Sequence, residues 1–232
     1  MSPAPVLAKE ELDALRQFDT CTVANAVERF NLRLRNTGFT NGSIHCMFPE
    51  MPQIVGYAVT ARLRTGEPPI RGGAFHDRSE LWNNILKVPS PRILVLQDID
   101  NPPGVGAFLG DMHAAILRSL GCIAYLTNGS VRDLPAVGAM GFQLFAGGVV
   151  ASHAYSHVFD IGSSIGIGGL EVHPGTLLHG GRHGVLSVPA EVAAQIPSVA
   201  ARLQQQELDV IEFCSSEGFS IGKLSEIMKQ WG

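Results

Sequence analysis

The chain is poor in charge, in aromatic rings and in cysteine. Charged residues fill 16% of its 232 positions and aromatic residues 7%. Seventeen Lys and Arg stand against 21 Asp and Glu, a formal net charge of −4, and no Lys/Arg cluster occurs. A dedicated nucleic-acid binder is disfavoured, because such domains neutralise phosphates with a basic stripe. No apolar run approaches the roughly 20 residues that cross a bilayer, so no membrane anchor is expected. The opening Met1-Ser-Pro-Ala-Pro-Val-Leu-Ala-Lys-Glu has neither the basic nor the apolar region of a signal peptide. Cys21, Cys46, Cys122 and Cys214 lie far apart with no CxxC spacing. They read as buried free thiols of a cytoplasmic protein, not as a disulfide framework or zinc site. No internal repeat or low-complexity segment is present.

Hydrophobic residues are abundant, at 45%, with 26 glycines and 14 prolines. That length and composition suit one domain, residues 1–232, with a sizeable core, many tight turns and a leaning towards oligomers. Lys9–Phe18 reads as a short amphipathic helix. Asp19 caps a second, running to about Phe30. Asn31–Gln53 is a Gly-, Asn- and Pro-rich loop. Val55–Arg64 alternates like a strand, and Ser79–Leu86 is helical.

The centre is the most legible part. Arg92–Gln97 (RILVLQ) is a continuous apolar run, as in a strand buried on both faces. After the long loop Asp98–Gly110, Asp111–Leu120 has helical spacing, with Asp111 as N-cap and Gly121 past its end. Cys122–Thr127 is a second buried strand and Asn128-Gly129 a turn. Leu134–Met140 is a short helix with Asp133 as N-cap, and Phe142–Ala146 a third strand. This is a β-α-β-α-β unit whose strands should be parallel and adjacent. From Val149 to Pro189, short β-like runs broken by glycines suggest a second, mixed sheet. Glu191–Glu212 and Ser220–Lys229 read as C-terminal helices.

In an open α/β sheet, ligands bind beyond the carboxyl ends of the strands. The loops entering the two central helices both lie there, so Asp111 and the Arg132-Asp133 pair should meet on one edge. The free amides of Met112 and His113 at a helix start can hold an anion. Arg132 offers a fork for a carboxylate or a developing oxyanion. Two carboxylates with few other ligands suit Mg²⁺ or Mn²⁺, which keeps several waters. Each Asp taken singly is as well explained as a helix cap.

Gly110-Asp111-Met112, the helix ending at Gly121, and Asn128-Gly129-Ser130-Val131-Arg132-Asp133 together resemble the RraA-like family. That family includes the class II 4-hydroxy-4-methyl-2-oxoglutarate and 4-carboxy-4-hydroxy-2-oxoadipate aldolases. Asp19–Val23, Val55–Ala61, Gly141–Ala146 and Arg182–Pro189 look like family segments too, so the likeness covers about residues 12–212. The resemblance implies a β/β/α swivelling-domain-like α/β fold with active sites between subunits of a homotrimer or hexamer. The C-terminal helices of residues 191–232 would contact a neighbouring subunit. It implies that Asp133 ligates the metal, that Asp111 contacts it through water, and that Glu207 of a neighbouring subunit approaches it. Arg132, Asp111 and the segment Gly110, Met112 and His113 would bind a small 2-oxo acid, Arg132 stabilising its pyruvate enolate. The activity implied is a metal-dependent lyase, by retro-aldol cleavage or oxaloacetate decarboxylation. The rival reading is a non-catalytic regulator that binds a ribonuclease. Two positions depart from the family pattern, Ala136 and Gly181, where acidic residues are usual.

Other patterns carry less. Gly162-Ser163-Ser164-Ile165-Gly166 matches a nucleophile elbow but is not followed by a helical pattern. Gly166–Gly169 lacks the spacing of a dinucleotide loop. His153 and His157 read as β-like positions, and His179 and His183 as surface or interface donors near Arg182.

Overall fold

The computed structural model of the chain describes residues 6–70 and 78–229. Among them the elements run α1 (Lys9–Leu15), α2 (Thr20–Glu28), β1 (His45–Cys46), β2 (Ile54–Arg64), α3 (Ser79–Lys87), β3 (Arg92–Asp98) and β4 (Ala107–Leu109). Next come α4 (Asp111–Ser119), β5 (Cys122–Thr127), β6 (Ser130–Val131), α5 (Leu134–Ala139), β7 (Gln143–Ala146) and β8 (Gly148–Val149). The chain closes with β9 (His157–Phe159), β10 (Ile165–Ile167), β11 (Leu170–Val172), β12 (Leu177–Gly181), β13 (Gly184–Ser187), α6 (Ile196–Cys214) and α7 (Ile221–Lys229).

The β-α-β-α-β unit is β3-α4-β5-α5-β7, and its strands are adjacent and parallel, with β2 parallel on the outer side of β3. Both faces of these strands are covered, which is why they read as unbroken apolar runs. Along β3, Leu94 and Leu96 pack with Leu81 and Ile85 of α3 and Ala114 and Leu117 of α4. Ile93 and Val95 point the other way, to Ile165, Ile167, Leu170 and Val172 of the β10–β11 hairpin. Alternate side chains thus enter opposite layers, and the stack is helix, sheet, hairpin: a β/β/α arrangement. A third cluster joins Val55 and Tyr57 of β2 to Leu12, Leu15, Val23 and Val27 of α1 and α2 and to Ile196, Ala200 and Leu203 of α6. Each buried Val, Leu or Ile among them contributes roughly 1.5–3 kcal/mol.

Several elements differ from their sequence reading. The alternation in β2 does not mark an exposed face: Ile54–Ala61 and Leu63 are all buried, because helices cover one side and the hairpin the other. The glycine-broken region does form a separate antiparallel hairpin, β10–β11, yet β12, β13 and β9 join the main sheet through β2. The long loop after β3 contains β4, and the Asn128-Gly129 turn leads into β6. β4, β6 and β8 form a small parallel sheet. Helix α6 starts at Ile196, not Glu191. The cysteines are free thiols, but only Cys122 is buried, with its thiol pushed up to about 12; Cys21 and Cys214 are exposed. His179 is fully buried, unlike the surface donor expected: its Nε2 lies 3.3 and 3.1 Å from the Leu15 and Phe18 carbonyls, tying β12 to the α1–α2 corner. No helix among the described residues is long and apolar enough to cross a membrane.

Candidate functional site

The meeting of Asp111 with Asp133 is a matter of strand register. Leu109 of β4 pairs with Val131 of β6, and the Arg132 amide donates to the Leu109 carbonyl at 3.0 Å. Both chains leave this small sheet in step. Gly110 comes level with Arg132 and Asp111 with Asp133: a register shift takes the offset from 23 residues at the Ala107–Ser130 pair to 22 at Leu109–Val131, and the 22-residue offset carries into the two turns.

Asp133 does not cap α5 with its side chain, as the sequence suggested. Its backbone is left-handed, at φ 56° and ψ 34°, and no side-chain cap bond forms. The carboxylate instead turns to its neighbours. Arg132 Nε donates to both oxygens, at 3.2 and 3.1 Å, and the Asp111 amide approaches Oδ2 at 3.4 Å. Nor is Asp111 the N-cap of α4. That position is Gly110, and Asp111 opens the helix, its Oδ1 accepting from the Met112 amide at 2.7 Å. The reason is steric: a β-carbon at Gly110 would lie 2.3 Å from Asp133 Oδ2. Only glycine lets the helix start approach the carboxylate this closely.

The carboxyl ends of β3 and β5 are clamped beneath the site. Asn128 accepts the Asp98 amide at 2.7 Å and donates to the Asp98 carbonyl at 2.8 Å. The Asp98 carboxylate, which sequence reading overlooked, is buried and takes the Asp100 and Gly104 amides at 3.0 and 2.8 Å. Burial pushes its pKa above the usual carboxylate range despite those bonds. Gly129 is small because a β-carbon there would meet Asp98 Oδ2 at 2.9 Å.

His113 was expected to offer its amide; its side chain proves equally placed. The ring is buried beside Phe108, with centroids 5.1 Å apart, and its Nε2 takes a bond from Arg78 Nη1. Arginine only donates, so this nitrogen accepts and the ring is neutral. Burial, then Arg78, then His153 lower its pKa to about 4. Arg78 lies 4.7 Å over the Phe108 ring. His153 and His157 form no pair: His153 Nδ1 donates to the Ala107 carbonyl at 2.6 Å, and His157 Nδ1 lies 2.8 Å from the Tyr155 carbonyl.

Glu207 is not brought to this edge within one chain. It sits on α6, which packs on α1 and α2, and accepts from Asn25 at 3.3 Å. Ala136 is exposed in the first turn of α5. Gly181 has a local reason: a β-carbon there would lie 2.7 Å from Thr20 Oγ1. Ser163 and Ser164 precede β10 and its hairpin, with no helix behind them.

Comparison with known proteins follows the same lines. The RraA-like family model, described as Aldolase/RraA, matches residues 20–187. A curated relative from Halalkalibacterium halodurans, named "Putative 4-hydroxy-4-methyl-2-oxoglutarate aldolase", is 30% identical over 84 residues, which are 36% of this chain. The match spans only 40% of that relative's length. A solved structure of an uncharacterized protein from Pseudomonas syringae pv. tomato superposes with a TM-score of 0.73 at 22% identity, covering 98% of this chain and 96% of that one. Streptomyces coelicolor RraAS2, described as an unusual member of the RNase ES inhibitor RraA protein family, gives 0.68 at 20% identity, with 88% and 97% covered.

Proposed function

Because the chain belongs to the RraA-like family, in which aldolases and RraA-type inhibitors share one fold, we propose that it is a lyase that cleaves a C–C bond of a small 2-oxo acid through pyruvate enolate. The observation that carries this reading is the register-locked group of Asp111, Arg132 and Asp133, with Asp133 held in a left-handed backbone state.

The donor set suits a hydrated Mg²⁺ or Mn²⁺. A β-carbon at Gly110 would fill the space over Asp133 Oδ2, so the glycine keeps one carboxylate face open. Among the described residues no group of three or more His, Cys, Asp or Glu could hold a metal. A protein-caged ion therefore does not fit, while one that keeps most of its waters does. Asp133 would hold it, Asp111 would reach it through water, and Glu207 from a neighbouring copy would approach it. When bound, such an ion supplies Lewis-acid polarisation of a keto oxygen.

The chain's own groups do the rest. The His113 amide at the start of α4 would seat the C1 carboxylate, joined by the Met112 amide once Asp111 Oδ1, which accepts from it here, turns to water. The Nε edge of Arg132 is engaged by Asp133, leaving its Nη groups to stabilise the negative charge that develops on the 2-oxygen as the C3–C4 bond breaks. In retro-aldol cleavage the 4-hydroxyl must also lose a proton, and a water held by the Asp111 carboxylate removes it. Decarboxylation of oxaloacetate reaches the same enolate with CO₂ leaving and no such base. The working unit would be a cytoplasmic homotrimer or hexamer of single-domain chains, with residues 191–232 against a neighbour.

Pyruvate release from oxaloacetate, measured with Mg²⁺, with EDTA and in Asp133→Ala, tests the reading. Loss in the last two is expected, and equal activity in all three overturns it. The likeness to RraAS2 favours one alternative, a regulator that binds a ribonuclease; tight ribonuclease binding without metal-dependent pyruvate release would establish that instead.

A further inference from the structure

The β10–β11 hairpin, across the sheet from α4 and the Asp111 group, carries ligand-type side chains on its outer face. Successive residues of a strand point to opposite faces. Leu170 and Val172 of β11 enter the core, so Glu171 and the following His173 share the solvent side. His173 Nε2 lies 3.4 Å from Glu171 Oε1. Across the hairpin Gly166 pairs with Glu171 and Ile165 with Val172, which brings Ser164 level with His173. Ser164 Oγ is 2.6 Å from His173 Nδ1, and the His173 amide donates to Thr176 Oγ1 at 3.1 Å.

This geometry suits a metal. A tetrahedral zinc ion binds an imidazole nitrogen and a carboxylate oxygen at about 2.0–2.1 Å each, and two such bonds span about 3.4 Å. The separation of Nε2 from Oε1 is therefore the bite of one ion, reached without rearrangement. A metal-bound histidine normally gives its other N–H to a fixed acceptor, which sets the tautomer. Ser164 Oγ stands where that acceptor belongs, and the Nε2 lone pair then faces Glu171. Gly166 keeps the neighbouring space open: a β-carbon there would meet nothing within 4 Å, so water can complete the ion's shell. One imidazole with one carboxylate favours a borderline transition ion, whereas the all-oxygen pair of Asp111 and Asp133 favours Mg²⁺.

We propose that Glu171 and His173 chelate a zinc ion on the outer face of the hairpin, with Ser164 as the positioning residue of the imidazole. Two protein ligands leave two positions of the ion for other donors. Glu171 and His173 also line a cavity of about 280 Å³, together with Tyr57, Leu177, Val188 and Pro189, and the free positions open onto it. They take water or a small carboxylate whose apolar part enters the cavity. None of these residues belongs to the proposed lyase site, so the two sites stand or fall separately.

Isothermal titration with ZnCl₂ tests this on the full chain, with excess Mg²⁺ present to occupy the Asp111–Asp133 group. One zinc per chain is expected. His173→Ala and Glu171→Gln should each weaken it by at least about 10-fold, the lower end of what even an outer partner of a metal ligand contributes. Ser164→Ala should weaken it about 10-fold, and Ser164→Thr should restore it, because the hydroxyl alone is needed. Gly166→His should tighten binding by about 10-fold or more, since cross-strand β-carbons stand about 4.5–5.5 Å apart and the new ring can supply a third ligand beside Glu171. All four positions are exposed, so no variant removes a core contact. A wild type that takes up no zinc overturns the proposal. So does an affinity unchanged in His173→Ala and Glu171→Gln, which would place the ion on other surface histidines, and so does a Gly166→His variant that binds no more tightly.

Discussion

Asp133 holds a left-handed backbone, φ 56° and ψ 34°, that a β-carbon makes unfavourable by about 1–2 kcal/mol. Asn tolerates this state and Ala does not, so two variants separate backbone from charge. Asp133→Asn should melt close to the wild type, whereas Asp133→Ala should be about 1 kcal/mol less stable; both should lose at least 10²-fold in kcat/KM for oxaloacetate. Denaturant unfolding with steady-state kinetics checks this, and an active Asp133→Asn would show that its charge is not needed. Gly110 gives the converse case. Its φ of −130° suits alanine, so Gly110→Ala should fold almost normally. The new β-carbon must push away the Asp133 carboxylate it meets at 2.3 Å, and a displacement of that order should lower kcat/KM about 10–100-fold. Normal kinetics in Gly110→Ala would mean that the carboxylate need not stand where it does. At this scale the sequence was informative: the types and spacing of Gly110, Asp111, Arg132 and Asp133 picked out the group. It was silent on Arg78, which reaches His113 across 35 positions with no pattern linking them.

Among the elements, the smallest do the most positioning. β4, β6 and β8 are three, two and two residues long, yet they fix the register that brings the two acidic turns together. Segments so short show no periodicity, and they read as loop and turn. The long strands were legible because burial on both faces made them continuous apolar runs. Their number in the sheet was not: β12 and β9 reach β2 from far along the chain, and sequence carries no mark of that pairing. Beneath the small sheet, Asn128 joins β3 to β5 by accepting from and donating to the Asp98 backbone. Asn128→Ala leaves a half-buried amide and carbonyl without partners, at about 1–3 kcal/mol. A lower melting temperature and a raised KM are expected, since β6 follows directly. A raised KM without loss of stability would mean that Asn128 touches the ligand itself.

For the whole molecule, two buried histidines bear on the acid side of the stability curve, and the last helices bear on the proposed assembly. His113 and His179 are both lowered from 6.5 to about 4, by burial first. Between those values the unfolded chain binds more protons than the folded one. Stability is thus fully present above pH 6.5 and declines as pH falls towards 4, by at most about 1.4 kcal/mol per pH unit for each ring. Denaturant midpoints from pH 7 to 4 should show this fall, and it should be shallower in His179→Gln. The C-terminal helices raise a different question. The buried residues of α6, Ile196, Ala200 and Leu203, lie in its first half, and α7 buries none. Leu208, Ile211, Phe219, Ile221 and Met228 are exposed on one chain, an apolar surface that a subunit contact would cover. Glu207 lies within it and is the residue proposed to reach a neighbour's Asp133. Charging this face should therefore break assembly and activity together. Leu208→Glu with Ile211→Glu should yield a folded monomer by light scattering, with pyruvate release reduced at least 10-fold. Neither side chain belongs to the core of its own chain, so the melting curve should keep its cooperativity. A fully active monomer would show that one chain completes the site, and Glu207 would then have no part in it.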